Sequence, residues 1–212
     1  MLENLRAPFK KIINPIARFL VRMHLTADLI TIIGAFGTSI SIILTAISGH
    51  LFIGVLISTL FVLFDSLDGS VAAITTGGTT FGAFLDSTLD RIADWAIMCA
   101  VALYFVLHCN LTDIWSIIGI VATMVAMMTS FVTPYARARA ESVGYEAKNG
   151  IATRSDRILI TFVGMGITGL GLPYLVLSIF MVVLAVLGII TICQRIHTVY
   201  CQAQESKAFL EK

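Results

Sequence analysis

Several stretches of this chain are apolar over lengths that a water-soluble core does not need. Runs of about 18 or more such residues read as helices crossing a bilayer. They recur from DLITIIGAFG, which opens at residue 28, to the last quarter of the chain. Composition agrees: 13% of residues are charged, against about 25% in soluble domains. Hydropathy places six spans at about 28–48, 51–75, 81–107, 113–141, 156–170 and 173–200. The expected fold is an all-α integral membrane protein, with six transmembrane helices behind an N-terminal interfacial amphipathic helix. It forms one domain over 1–212: interfacial helix 1–24, six-helix bundle 28–200, cytoplasmic tail 201–212.

The leading segment, LENLRAPFKKIINPIARFLVR, mixes Leu, Phe and Ile with five cations, and Pro8 and Pro15 break any long helix. That pattern suits a helix lying in the interface, cations toward headgroups. No cleavable leader is read, because the first apolar run begins late. With six spans, both termini share a side, and all 14 Lys and Arg fall on that side. The opposite loops, around Gly49-His50, His108 to Asp113 and Gly169 to Pro173, hold none. The positive-inside rule then makes both termini cytoplasmic in a cell membrane. A net charge of +1 gives no case for a nucleic-acid partner. Cys99, Cys109, Cys193 and Cys201 form no C-x-x-C pair and read as small hydrophobes.

Against this background stands DSLDGSVAAITTGGTTFGAFLDSTLD, residues 65–90, with four aspartates and no basic residue. On a helix Asp65 and Asp68 lie about 60° apart and Asp86 and Asp90 about 40° apart, so each pair shares a face. Asp94 extends the second face by a turn. Carboxylates at membrane depth need a partner, and no Lys or Arg lies between these pairs. Two helices joined by the turn from Thr75 to Thr80 bring the four acids toward one point. Hard Mg²⁺ or Mn²⁺ is the natural counter-charge, and four or five carboxylates suit two ions and phosphoryl transfer. Gly69, Ala72 and Gly82 would wall a pocket for a flat base or a diphosphate. The acids also admit two other readings: interfacial helix caps, or the ion pathway of a divalent-cation or solute transporter.

The run Asp65-x-x-Asp68-Gly69-x-x-Ala72, then Gly82-x-x-x-Asp86-x-x-x-Asp90, resembles the signature of CDP-alcohol phosphotransferases. That pattern carries arginine after the alanine, where this chain has Ala73. The resemblance covers nearly the whole chain. It implies a six-span bundle with a cytosol-facing polar cavity, a homodimer, a Mg²⁺ or Mn²⁺ pair on Asp65, Asp68, Asp86 and Asp90, and a CDP-linked lipid donor that releases CMP. LTADLITIIG, residues 25–34, resembles the cytidine-contacting segment, so Asp28 and Thr31 join Gly69, Ala72 and Gly82 as expected donor contacts. Asp90, one turn beyond Asp86, is the expected general base.

A second cluster bears on the acceptor. YARARAESVGYEAKNGIATRSDR, residues 135–157, is followed by Arg195 near the end of the last span. The run is similar to the actinobacterial phosphatidylinositol-phosphate synthase subfamily, in which basic residues from these places hold an acceptor phosphate. Carried over, they are Arg137, Arg139, Arg154, Arg157 and Arg195. The similarity implies CDP-diacylglycerol as donor and inositol 1-phosphate as acceptor. Glycerol 3-phosphate, the acceptor of a phosphatidylglycerophosphate synthase, is the alternative.

Overall fold

The computed structural model describes residues 15–75 and 77–210. Every regular element among them is helical. Residues 15–22 are helical and precede α1 (Ala27–Ser48), α2 (Leu51–Asp65), α3 (Asp68–Thr75), α4 (Thr80–His108), α5 (Ile114–Ser142), α6 (Arg154–Gly169) and α7 (Tyr174–Leu210). The expected interfacial helix over 1–24 lies mostly outside the described residues. Among the described residues, five helical stretches are long and apolar enough to cross a membrane: Ala27–Ser48, Leu51–Thr75, Thr80–His108, Ile114–Ser142 and Tyr174–Ser206. Their outer faces carry large exposed hydrophobics, such as Leu60, Phe84, Met124 and Val186. In water such surface would be a liability; in lipid it is the solvated face, so the chain is an integral membrane protein. α6 spans 16 residues, about 24 Å of helix, shorter than the roughly 30 Å hydrocarbon core. α7 continues unbroken past residue 200, through Gln, Ala, Glu and Lys, which favour helix.

The chain divides into two compact units, Met1–Leu44 with Gly54–Ala96, and Thr45–Ile53 with Ile97–Lys212. In the first unit α1 and α2 approach through small residues. A Cβ built on Gly34 would stand 2.5 Å from Asp65 Cβ and 2.8 Å from its Cα, and one on Gly37 would enter the Phe61 ring. One turn on, Ser41 Oγ and Ser58 Oγ share a hydrogen bond of 2.8 Å. Small side chains let apolar helices pack where lipid offers no hydrophobic drive. Leu20, Ile30, Leu67 and Val71 form an apolar cluster, with Leu25 packed against it.

The start of α1 follows from its caps. Thr26 Oγ1 accepts from Leu29 N, capping α1, so Asp28 lies inside the first turn rather than at the cap. The helix before it ends with His24 N donating to Val21 O (3.0 Å) and Leu25 N to Leu20 O (3.1 Å). This is the Schellman pattern, in which glycine is the usual left-handed residue. Here His24 takes that position at φ 59°, which costs a side chain about 1 kcal/mol.

In the second unit α5 and α6 each pack on α7. Gly188 of α7 lies so close to Thr129 of α5 that no Cβ fits between them. Ser178 Oγ donates to Trp115 O at 2.8 Å. The loop from Tyr145 to Thr153 is strapped to α7 by side chains. Glu146 N donates to Gln202 Oε1, Gln202 Nε2 to Glu146 O, Asn149 Nδ2 to Thr198 Oγ1 and Ala152 N to Thr191 Oγ1. Asp156 then ties the start of α6, its Oδ2 accepting from both Thr153 N and Thr153 Oγ1.

Candidate active site

The expected continuous helix through Asp65 and Asp68 is broken. α2 ends at Asp65, Ser66 and Leu67 form a turn, and α3 starts at Asp68. Leu67 is buried in the apolar cluster, and its N–H bonds Phe64 O in a tightened last turn. The two aspartates therefore belong to different elements, and the shared-face argument does not describe them. Asp65 stands at the C-terminal, electronegative end of α2, with no basic residue in that last turn. It is buried, and so is best balanced by a cation.

Asp65, Asp86 and Asp90 each offer a carboxylate oxygen within 4.8 Å of the others. At that separation like charges repel by ~3 kcal/mol per pair at an effective dielectric of about 20. An all-oxygen set of this density fits a hard divalent cation such as Mg²⁺ or Mn²⁺. Asp68 is not in this trio. Its Oδ2 accepts from Thr31 Oγ1 at 2.7 Å, and its Oδ1 from Gly69 N.

Arg91 is a site residue that the sequence reading counted only as an orienting charge. Its guanidinium lies 3.5 Å from Asp90 Oδ2 and 3.2 Å from Asp94 Oδ2. Asp94, almost fully buried, is thereby a partner of Arg91. Adjacency to Asp90 and the i, i+3 spacing to Asp94 were the available signals. Gly34 was missed as well; its signal is the small-residue spacing Gly34, Gly37, Ser41 on α1.

A cavity of about 610 Å³ adjoins the trio, sharing Asp86 as a wall. All five expected donor contacts, Asp28, Thr31, Gly69, Ala72 and Gly82, line it, as does Asp68. Gly82 holds the close approach expected of it: an added Cβ would stand 3.0 Å from Asp28 Oδ1 and 3.0 Å from Thr79 Oγ1. Thr79 caps α4 by accepting from Gly82 N at 2.9 Å. Gly77 and Gly78, at φ 73° and 91°, make the preceding turn possible. His24 and Thr26 also line the cavity.

The basic residues lie in the second unit. Arg137 and Arg157 lie near enough to Arg195 to act on it as like charges. Arg195 is braced: Nε donates to Asn149 O at 3.0 Å and Nη1 to Thr133 O. Arg157 is buried, whereas the half-exposed Arg137 pairs with Glu141 at 2.9 Å. Arg139 turns to Ser142 Oγ instead. Arg154 opens α6.

Comparison with known proteins agrees with this geometry. The CDP-alcohol phosphatidyltransferase profile matches residues 24–190. The phosphatidylinositol phosphate synthase of Cutibacterium acnes is 42% identical over 206 residues, covering 94% of this chain and 97% of that one. That of Mycobacterium tuberculosis H37Rv is 38% identical over 199 residues, covering 92% and 88%. Two crystal structures of the Mycobacterium tuberculosis synthase superpose well. The form with manganese and citrate gives a TM-score of 0.81 at 37% identity, over 89% of this chain and 88% of that one. The form with CDP-DAG bound gives 0.80 at 38%, over 90% and 94%. By motif, site geometry and relatives, the chain belongs to the CDP-alcohol phosphatidyltransferase family.

Proposed function

We propose that the protein transfers a phosphatidyl group from CDP-diacylglycerol to inositol 1-phosphate, giving phosphatidylinositol phosphate and CMP. The observation that carries this is the sharing of Asp86 between a three-carboxylate cluster and a nucleotide-sized cavity. A relative's structure with CDP-DAG bound supports the donor, and the product in the relatives' names, phosphatidylinositol phosphate, supports an inositol phosphate as acceptor.

Asp65, Asp86 and Asp90 would hold divalent metal, with Asp68 completing a two-ion site from the cavity side. Bound there, the metal supplies charge neutralisation for the donor diphosphate and for the CMP that leaves. The chain's own residues do the rest. Thr31 fixes the Asp68 carboxylate through its hydroxyl. Asp28, Gly69, Ala72 and Gly82 shape the cavity around the nucleotide. Asp90 takes the proton from the attacking inositol hydroxyl. The new bond forms between that oxygen and the lipid-bearing phosphorus, and the bond from that phosphorus to the CMP oxygen breaks. Arg91, beside Asp90, keeps this carboxylate oriented. Arg137, Arg157 and Arg195, with Arg139 and Arg154 on the same cytoplasmic segments, bind the acceptor's phosphate through charge-assisted hydrogen bonds.

The placement of Lys and Arg supports a cell-membrane protein with both termini and the site facing the cytoplasm. α6 counts as a sixth, short span in this reading, residues 1–24 as the interfacial helix, 201–212 as the cytoplasmic tail, and the working unit as a homodimer. The test is CMP release by purified protein with CDP-diacylglycerol and Mg²⁺. Release with inositol 1-phosphate and not with glycerol 3-phosphate is expected. Release with glycerol 3-phosphate alone would keep the donor site and overturn the acceptor.

A further inference from the structure

We propose that His24 is part of the donor site and contacts the nucleotide half of the CDP-linked lipid; the inference rests on the donor assignment above. Three observations carry it. First, among the described residues His24 is the sole non-glycine with a positive φ, at 59°. It fills the position of a Schellman cap, defined by the Val21 and Leu20 carbonyl bonds, that glycine would fill without strain. A strained side chain at the edge of a cavity points to a role there. Second, His24 lines the cavity that Asp28, Thr31 and Asp68 also line.

Third, the chemistry of that cavity lacks what His24 supplies. Its charged lining residues are the carboxylates Asp28, Asp68 and Asp86, and no Lys, Arg or second ring lines it among the described residues. A cytidine diphosphate presents a flat base and many hydrogen-bond acceptors. The imidazole of His24 offers both a ring face and an N–H to meet them. Diacylglycerol offers no matching flat surface, which is why the nucleotide half is the partner.

The test uses the purified full chain in detergent with Mg²⁺. Binding of CDP-dioleoylglycerol and of CDP is measured by calorimetry for wild type, His24→Gly and His24→Asn. Glycine suits the left-handed backbone, so His24→Gly should melt no lower than wild type while binding both ligands about tenfold more weakly. Asparagine tolerates the same φ and keeps an N–H donor, so it should fall between the two. KM for the donor should rise in step, with KM for inositol 1-phosphate unchanged. Wild-type affinity of His24→Gly for both ligands would reduce His24 to a cap. Weaker binding of the lipid form alone would place the contact on the diacylglycerol half and overturn the proposal. A wild-type protein that binds neither ligand would overturn the donor assignment itself.

Discussion

Asp65 is held by backbones in contact, whereas Arg195 is held by hydrogen bonds to a loop and to α5. At the acidic centre, Gly34 lets α1 press against the Asp65 backbone, and Asp86 and Asp90 project from one continuous helix. At the basic centre, the guanidiniums come from the last turns of α5, the first turn of α6 and the middle of α7, and the intervening loop is tied down by Gln202, Asn149 and Thr191. The difference would suit the two proposed ligands: a metal–diphosphate centre tolerates little displacement of its oxygens, whereas a phosphate on a small polyol can be captured by charges on longer arms.

This contrast can be broken from either side. The largest effect falls on the acids: Asp90→Asn should lower kcat by roughly 10²–10⁴-fold, with a melting temperature near wild type. Full turnover of that variant would remove Asp90 as base. Next comes Gly34→Ala, whose added methyl meets Asp65 Cα and Cβ. It should destabilise the protein by about 1–3 kcal/mol and weaken Mn²⁺ binding as well. Unchanged metal affinity would mean that Asp65 is not positioned by α1.

On the basic side, Arg195→Ala should raise KM for inositol 1-phosphate by about tenfold or more while leaving donor KM alone. It also removes the braces to Thr133 O and Asn149 O, so the melting temperature should fall. Arg137→Ala should raise acceptor KM without that fall, since its partner Glu141 is half exposed. Equal loss of stability in the two variants would erase the distinction between brace and ligand. The smallest effect is Glu141→Ala, which removes an exposed i, i+4 pair worth about 0.3–0.5 kcal/mol and should leave stability nearly unchanged in a thermal melt.

Much of this was legible in the sequence because both strong signals are spacings. Apolar length marked the crossing helices, and the aspartate–glycine pattern marked the site; the five donor residues it named do line one cavity. What spacing could not show is where a helix breaks. Nothing helix-breaking lies between Asp65 and Asp68, and Gly69 comes only after the turn. The break comes from Leu67 turning into the Leu20, Ile30 and Val71 cluster, a tertiary effect that overrides helical propensity. For the same reason the 60° argument joined Asp68 to Asp65, although Thr31 holds it toward the cavity. The position of His24 was equally hidden, because a left-handed residue other than glycine leaves no mark in composition.

The central claim is that Asp65, Asp86 and Asp90 form a divalent-cation centre. The most direct measurement is Mn²⁺ binding followed by electron paramagnetic resonance on wild type, Asp86→Asn and Asp28→Asn. The account predicts tight binding in wild type, its loss in Asp86→Asn and its retention in Asp28→Asn. Equal Mn²⁺ binding by wild type and Asp86→Asn would contradict it.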